Sequence, residues 1–463
     1  MPSQSRGPSV LLLLLPFLLL IYLTWSPSSS PKSDLHHHPA NPKQPVPVLN
    51  NQAGARQQQP QLARPLPQET VGDEVLRTRI VAVGDIHGDM PHLTRILRRA
   101  ELIDMKGQWI GGDSILVQTG DIVDRGKDTI AIYRFFQTLR PQAERAGGAV
   151  VSLLGNHEIM NALGDWRYVT KEDIASFGGE RNRRLAMSTG WLGQDWRTNY
   201  SITARVPYLH TSFPPGVPIP AFPRTPVGES DKRFLSEETY EDQNGNAEEN
   251  PFAVAAASFV HGGITPEYLS QLSTSRPVEE INRIGSSLLF SLLSTPAAPL
   301  GLPRSATPEQ RLFWSEQGPM WNREWAIEDE EEICDRVGEV ARRLRVRRLV
   351  MGHTPQFGGI MQRCEGKVLL IDTGISRAYG GPLSSLEILH TLTPPSHLSL
   401  ADALSLDLIS LSDPTPEETL KAISTEERVK WVEREVVRAL YTDGKESVEL
   451  VREERVVELP AAR

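Results

Sequence analysis

Two cysteines in 463 residues, Cys334 and Cys364, are too few for a disulfide framework, and neither sits in a metal-ligand spacing. They could form a single bridge. Sequence spacing does not bring their Cβ atoms together, however, so two separate thiols are expected, one helical and one strand-associated. Basic excess is lacking as well. A net charge of -9 removes nucleic-acid binding from consideration, because neutralising a phosphate backbone takes a dominant basic surface. The one basic cluster, Arg342-Arg343-Leu344-Arg345-Val346-Arg347-Arg348, falls near the end of a predicted helix, where cations offset unsatisfied carbonyls. The apolar run Val10 to Trp25 falls short of the roughly 20 residues that cross a bilayer, which favours a cleaved signal peptide. No Ala-x-Ala-like cleavage site follows it, so an uncleaved membrane anchor stays open. Both readings direct the chain to the secretory pathway, with a lumenal or extracellular destination.

What is present falls into blocks. Residues 1–25 form the leader, and 26–74, dense in Pro, Ser, Gln and Asn, read as a disordered stalk. The run His36-His37-His38 inside it reads as part of that unstructured tract. Residues 75–395 carry the folded catalytic domain, with an insertion at about 205–252 that is first Pro-rich and then acidic. A carboxyl-terminal extension at 396–463 contains a predicted helix around Val429 to Leu440 and no visible chemistry.

Within the domain, short apolar runs end in Gly plus a polar residue. Ile80 to Val83 leads to Gly84-Asp85-Ile86-His87-Gly88, and Leu116 to Thr119 leads to Gly120-Asp121-Ile122-Val123-Asp124-Arg125-Gly126. Val151 to Leu154 leads to Gly155-Asn156-His157-Glu158. Two more histidines follow short apolar stretches, His261 before Gly262-Gly263 and His353 after Gly352, and Lys367 to Ile371 ends at Asp372. Between the first three runs, Leu93, Ile96, Leu97 and Ala100, then Ile132, Phe135, Phe136 and Leu139, keep helical spacing, with Pro141 and Gly147-Gly148 breaking the second helix before Ala149 starts the third strand. Strand, helix, strand, helix, strand predicts an α/β fold with a helix-covered sheet and function at the strand carboxyl ends. Gly164 to Tyr200, with Trp166, Trp191 and Trp196, reads as a helical cap beside the ligands. Asn199-Tyr200-Ser201 is a glycosylation acceptor motif, meaningful because of the leader.

Asp85, His87, Asp121, Asn156, His261 and His353 offer carboxylate, imidazole and amide donors without thiolate, a set that suits two hard or borderline divalent cations. Such a pair makes a nucleophile of bound hydroxide at neutral pH, and a phosphate ester is its natural substrate.

The motifs Gly-Asp-x-His-Gly, Gly-Asp-x-Val-Asp-Arg-Gly, Gly-Asn-His-Glu, His-Gly-Gly and Gly-His-Thr, in this order, resemble those of calcineurin-like metallophosphoesterases of the phosphoprotein phosphatase family. Gly318 to Arg323 and Ile371 to Gly381 are most similar to the bacterial-like, Shewanella-like branch. The resemblance implies a two-sheet β-sandwich flanked by helices. It implies one metal on Asp85 and His87, a bridging Asp121, and a second metal on Asn156, His261 and His353, the ions being manganese or iron with zinc. It gives His157 the protonation of the leaving oxygen, Asp124 its orientation, and Arg125 and Arg323 the phosphoryl grip. Glu158 is left between a supporting role and a helix cap, and Arg377 and Tyr379 between substrate contact and loop stabilisation. The eukaryotic Tyr-Gly-Phe and Ser-Ala-Pro-Asn-Tyr motifs are absent, so a calcineurin-type regulatory subunit is not expected. A phosphoprotein or phosphopeptide is the expected substrate. A small phosphorylated molecule, such as a dinucleoside polyphosphate, and a catalytically silent binding module are the alternatives.

Overall fold

The computed structural model describes residues 75–209, 239–241, 247–249, 251–294, 301–410, 412, 415–423, 428–442 and 444–460. The leader, the stalk with its three histidines, and most of the insertion lie outside the described residues. Among the described residues no helix is long and apolar enough to cross a membrane.

In chain order the strands are β1 (Leu76–Val83), β2 (Ile115–Gln118), β3 (Ala149–Leu153), β4 (Tyr200–Ser201), β5 (Thr203–Pro207), β6 (Thr239–Glu241), β7 (Ala247–Glu249), β8 (Ala256–Val260), β9 (Arg348–Met351), β10 (Met361–Arg363), β11 (Val368–Leu370), β12 (Ser384–Thr393), β13 (Arg428–Tyr441) and β14 (Val448–Pro460). One sheet runs β14-β13-β12-β1-β2-β3-β4 and a second runs β10-β11-β9-β8-β5, while β6 and β7 pair only with each other. Strand β5 pairs with β8 in the second sheet. Strands β1 to β4 are parallel, as are β8, β9 and β11. Parallel strands are buried on both faces, which is why they read as short continuous apolar runs. Ile80, Ala82 and Val117 meet Phe259, Val350 and Leu369 between the sheets. Val81, Val83 and Leu116 turn the other way, into a core shared with helix residues Leu93, Ile96, Ile132 and Phe136. The result is the expected two-sheet sandwich flanked by helices.

Helices α1 (Met90–Arg99) and α2 (Thr129–Arg145) connect the first strands. Of the two breaks predicted for α2, it runs through Pro141 and stops at Arg145, just before Gly147-Gly148, and Ala143 beyond the proline is fully buried. A proline removes one backbone donor. Packing of the following turn against the sheet outweighs that loss. Helix α3 (Asn156–Ala162) opens on the third ligand run, and the stretch Gly164 to Tyr200 carries α4 (Lys171–Ser176), α5 (Glu180–Met187) and α6 (Trp191–Asn199), in line with its helical reading.

Two expectations fail here. The helix predicted around Val429 to Leu440 is β13, paired with β12 and β14 in the main sheet. Its inward positions include Glu433 and Glu435, which break the apolar alternation, while Val432, Val436 and Leu440 mimic a helical spacing. The basic cluster explains those buried charges. Arg347 donates to Glu433 at 2.7 Å, Arg348 to Glu435 at 2.5 Å, and Tyr208 to Glu435 at 2.8 Å, so the cluster ties β9 of one sheet to β13 of the other. Only Arg342 and Arg343 occupy the last helical turn. Burial alone would raise the Glu433 carboxyl from 4.5, but the hydrogen bond to His390 and the charge of Arg347 outweigh it and hold the group at about 2. A depressed carboxyl stabilises the fold fully above pH ~4.5, and that contribution is lost as pH falls toward ~2; the difference is about 3 kcal/mol. Acid titration followed by circular dichroism should therefore lose an acid limb in Glu433→Gln, and an unchanged limb would contradict the assignment.

The second correction concerns the cysteines. Cys334, on the helix Glu330–Leu344, is disulfide-bonded to Cys364, at the end of β10, with their Cα atoms 5.2 Å apart. Packing of that helix beside β10 brings together two positions separated by 30 residues, which spacing alone could not reveal. Closing a loop of that size is worth about 3–4 kcal/mol on the chain-entropy account. Cys334→Ser with Cys364→Ser is expected to lower the urea midpoint accordingly, and addition of reductant should move only the parent.

Candidate metal centre

Three of the strands that aim at the site, β1, β2 and β9, end in a sharp change of direction. His87 (φ 46°), Asp121 (φ 54°), Asp124 (φ 71°), Arg125 (φ 61°) and His353 (φ 66°) all have left-handed backbone. Such conformations are disfavoured outside glycine and persist where surrounding bonds over-determine them. Ile86 N–H and His87 N–H both donate to the Asp121 carbonyl, and Gly88 N–H to that of Ile122, so the β1 and β2 loops lock each other. Glycine is required where backbone passes the carboxylates: a Cβ on Gly155 would lie 2.1 Å from Asp121 Oδ1, and one on Gly352 2.4 Å from Asp85 Oδ1.

The structure brings together all six predicted ligands, each at most 5% exposed. His87 Nε2 lies 3.7 Å from Asp121 Oδ2, and His261 Nε2 lies 3.4 Å from Asp121 Oδ1 and 2.8 Å from Asn156 Oδ1. Asp85 accepts from the backbone N–H of His353 at 3.2 Å and approaches His261 to 4.0 Å. Asp121 can share an ion with His87 and His157, or with His261 and His353, all ligand atoms of each group lying within 4.8 Å of one another.

The donor chemistry fits a cation. His87 Nδ1 donates to the Val123 carbonyl at 2.9 Å and His261 Nδ1 to that of Thr119 at 3.0 Å, so in the neutral rings Nε2 carries a lone pair. Those lone pairs face carboxylate and amide oxygens, acceptor against acceptor. His353 Nε2 is buried with no hydrogen-bond partner. Burial pushes the His87 imidazole down to about 4 and holds that of His353 well below the usual imidazole range, leaving both neutral as ligands must be. Burial also raises Asp85 well above the carboxylate range, reinforced by the neighbouring Asp372 and Asp121. Clustered carboxylates and orphaned lone pairs are what a divalent cation resolves. A further group, Glu330 with Cys334 and Cys364, offers no thiolate because its sulfurs are bonded together.

His157 stands at the rim of this set. Its Nδ1 lies 2.6 Å from Asp124 Oδ2, which holds the ring so that Nε2 faces inward, 3.7 Å from Asp121 Oδ2. Burial works against protonation of the ring, but Asp121 and Asp124 outweigh it and raise its pKa. An imidazolium aimed at the site is a proton donor. Glu158 fills both roles left open for it. One oxygen accepts from Gly155 N–H (2.7 Å) at the start of α3 and Asp121 N–H (2.9 Å); the other accepts from Ile122 N–H (2.9 Å) and Val123 N–H (3.1 Å).

Arg125 lies between Tyr168 and Tyr379, its guanidinium carbon 4.4 and 4.8 Å from the ring centres. The same rings stand beside His157 and His87, so Arg125 is held over the site by cation–π contacts that sequence reasoning missed. Arg323 is exposed and donates to the His353 carbonyl at 3.0 Å and to Thr354 at 3.1 Å, which places it beside His353. Arg377 pairs instead with Asp89, the residue capping α1, and steadies the loop that carries Tyr379. Asn161 was also missed. Its amide donates to Asp124 Oδ1 at 2.9 Å, and its place one helical turn after His157 was the available signal.

Residues 78–357 match the model of the calcineurin-like phosphoesterase family. The chain is 38% identical over 318 residues to an uncharacterised protein of Schizosaccharomyces pombe, covering 67% of this chain and 77% of that one. It is 30% identical over 333 residues to Shewanella-like protein phosphatase 2 of Arabidopsis thaliana, with the same coverages. Among solved structures, a cold-active protein-tyrosine phosphatase of a psychrophilic Shewanella superposes with a TM-score of 0.48 at 23% identity, over 68% of this chain and 77% of that one.

Proposed function

Because the chain belongs to the calcineurin-like phosphoesterase family, we propose that it is a phosphoprotein phosphatase that hydrolyses phosphomonoesters at the centre built by Asp85, His87, Asp121, Asn156, His261 and His353. The observation that carries this reading is His157, locked through Nδ1 onto Asp124 with Nε2 turned to the ligand set. Two divalent ions, manganese or iron with zinc, suit the donors; bound there, they supply Lewis-acid polarisation of phosphoryl oxygens and a lowered pKa for water. Arg125, held between Tyr168 and Tyr379, and Arg323, beside His353, neutralise the phosphoryl oxygens. As a water oxygen adds to phosphorus, the P–O ester bond breaks, and the leaving oxygen takes the His157 Nε2 proton, giving a free hydroxyl and inorganic phosphate.

The place of action is the secretory pathway. The apolar leader supports this, and so does the Cys334–Cys364 bridge, since disulfides persist in oxidising compartments. The acceptor Asn199 is exposed at the end of α6, as glycosylation requires. An endoglycosidase-sensitive mass lost in Asn199→Gln tests that part.

The decisive assay is phosphate release from phosphoserine, phosphothreonine and phosphotyrosine peptides by manganese-loaded protein, beside His157→Asn. Release that falls sharply in the variant supports the reading. No release from any peptide by protein shown to contain two ions rejects it.

A further inference from the structure

Arg183 is fully buried on α5, a helix whose other charged residues are exposed, and no step proposed above uses it. Its guanidinium lies beside the rings of Trp166 (4.8 Å) and Phe177 (5.6 Å), and all three nitrogens point at the acid–base dyad or its support. Nε donates to Asp173 Oδ2 at 2.8 Å, Nη1 donates to Asn161 Oδ1 at 2.7 Å, and Nη2 lies 3.8 Å from Asp124 Oδ1. Asn161 in turn donates through Nδ2 to Asp124 Oδ1 at 2.9 Å and to the His157 carbonyl at 2.9 Å. The other Asp124 oxygen receives His157.

This chain of contacts has a direction fixed by chemistry. An arginine can only donate and an ionised carboxylate can only accept, whereas a side-chain amide can do either depending on which way it is turned. Arg183 on one side therefore forces the Asn161 oxygen toward itself and leaves the amide N–H₂ for Asp124. Without Arg183 the amide could turn over and set its oxygen against the carboxylate. Asp173 anchors the guanidinium from α4 and balances its charge, since a lone buried cation would be strongly disfavoured. An arginine serving only to join α4 to α5 would need Asp173 alone. The contacts to Asn161 and toward Asp124 go beyond that role.

We infer that Arg183, acting through Asn161, is a positioning residue that fixes the Asp124 carboxylate and so the orientation of His157, making proton delivery to the leaving oxygen depend on the docked cap. The inference rests on the assignment of His157 as the proton donor. Misaligned proton delivery slows esters of poor leaving groups far more than those of good ones, whereas general damage to the site slows both alike.

The test compares 4-nitrophenyl phosphate, with a good leaving group, and a phosphoserine peptide, with a poor one, on manganese-loaded protein of parental metal content. Asn161→Ala removes the relay with a small change of volume. Arg183→Met combined with Asp173→Leu removes the buried charge pair together, which avoids stranding one charge. Both are expected to lose roughly 10- to 100-fold in kcat on the peptide and less than about 3-fold on the aryl ester, a weaker version of His157→Asn. In metal-free protein, the downfield proton resonance of the His157 Nδ1–H bonded to Asp124 should disappear or shift in both. If His157→Asn shows the leaving-group signature and folded Asn161→Ala does not, the positioning role is wrong while the proton-donor reading stands. If His157→Asn itself lacks the signature, the donor assignment falls and this inference with it. Should the double variant fail to fold, Asn161→Ala decides.

Discussion

Asp121→Asn is expected to lower turnover on any phosphomonoester by about a thousandfold, equivalent to about 4 kcal/mol of transition-state stabilisation, and to leave the protein unable to hold its full complement of ions. No other carboxylate in the site lies so close to three imidazoles, with His87 and His157 each at 3.7 Å and His261 at 3.4 Å. Burial alone would raise the Asp121 pKa, yet the charges of His261 and His157 outweigh it and hold the group well below the carboxylate range. An amide in its place presents N–H₂ at one of two positions that must donate electron pairs, and it removes the negative charge. Metal analysis beside turnover checks both parts. The metal-free fold should lose stability as well, because a carboxyl held below its ordinary range by neighbouring imidazoles stabilises the fold at neutral pH, and the amide gives that up. Metal-induced stabilisation, which follows the ratio of ion concentration to Kd, should shrink. A variant with parental ion content and more than a tenth of parental turnover would show that Asp121 is not shared between the ions.

The metal centre was legible because its information is local. A ligand beside glycine at the end of an apolar strand is visible in a handful of residues, and parallel sheets put such ends on one side by topology. What the sequence hid was long-range pairing. Glu433 and Glu435 look like surface charge until Arg347 and Arg348 are seen opposite them, so β13 was read as a helix. Cys334 and Cys364 carry no spacing signal, because their proximity comes from how the helix Glu330–Leu344 packs beside β10. Arg183 sits in the polar run Glu180-Arg181-Asn182-Arg183-Arg184, where nothing distinguishes the buried member from its exposed neighbours. In each case the partner that buries or bonds the residue lies elsewhere in the chain, and neither composition nor local spacing records it.

Glu158→Gln should be the most damaging substitution among residues that touch neither metal nor substrate. Two oxygens of this fully buried side chain accept from four backbone N–H groups, and Oε1 also accepts from Tyr133 OH at 3.2 Å. A ring of N–H dipoles of this kind serves a carboxylate in place of a cation. Whichever way a glutamine turns, its N–H₂ meets two of those donors head-on. Two buried N–H groups left without acceptors, at about 1–3 kcal/mol each, predict a loss of about 3–5 kcal/mol in urea unfolding. The damage is also functional. The four N–H groups belong to the loop that holds Asp121 and Asp124 in left-handed backbone and to the glycine that starts α3, which carries Asn156 and His157. Releasing them loosens Asp121, Asn156, His157 and Asp124 at once. Metal affinity and turnover should therefore fall together, even in conditions where the variant is folded. If Glu158→Gln unfolds within about 1 kcal/mol of the parent and binds its ions normally, the loop is held by the sheet and α3 alone, and Glu158 reduces to the cap of one short helix.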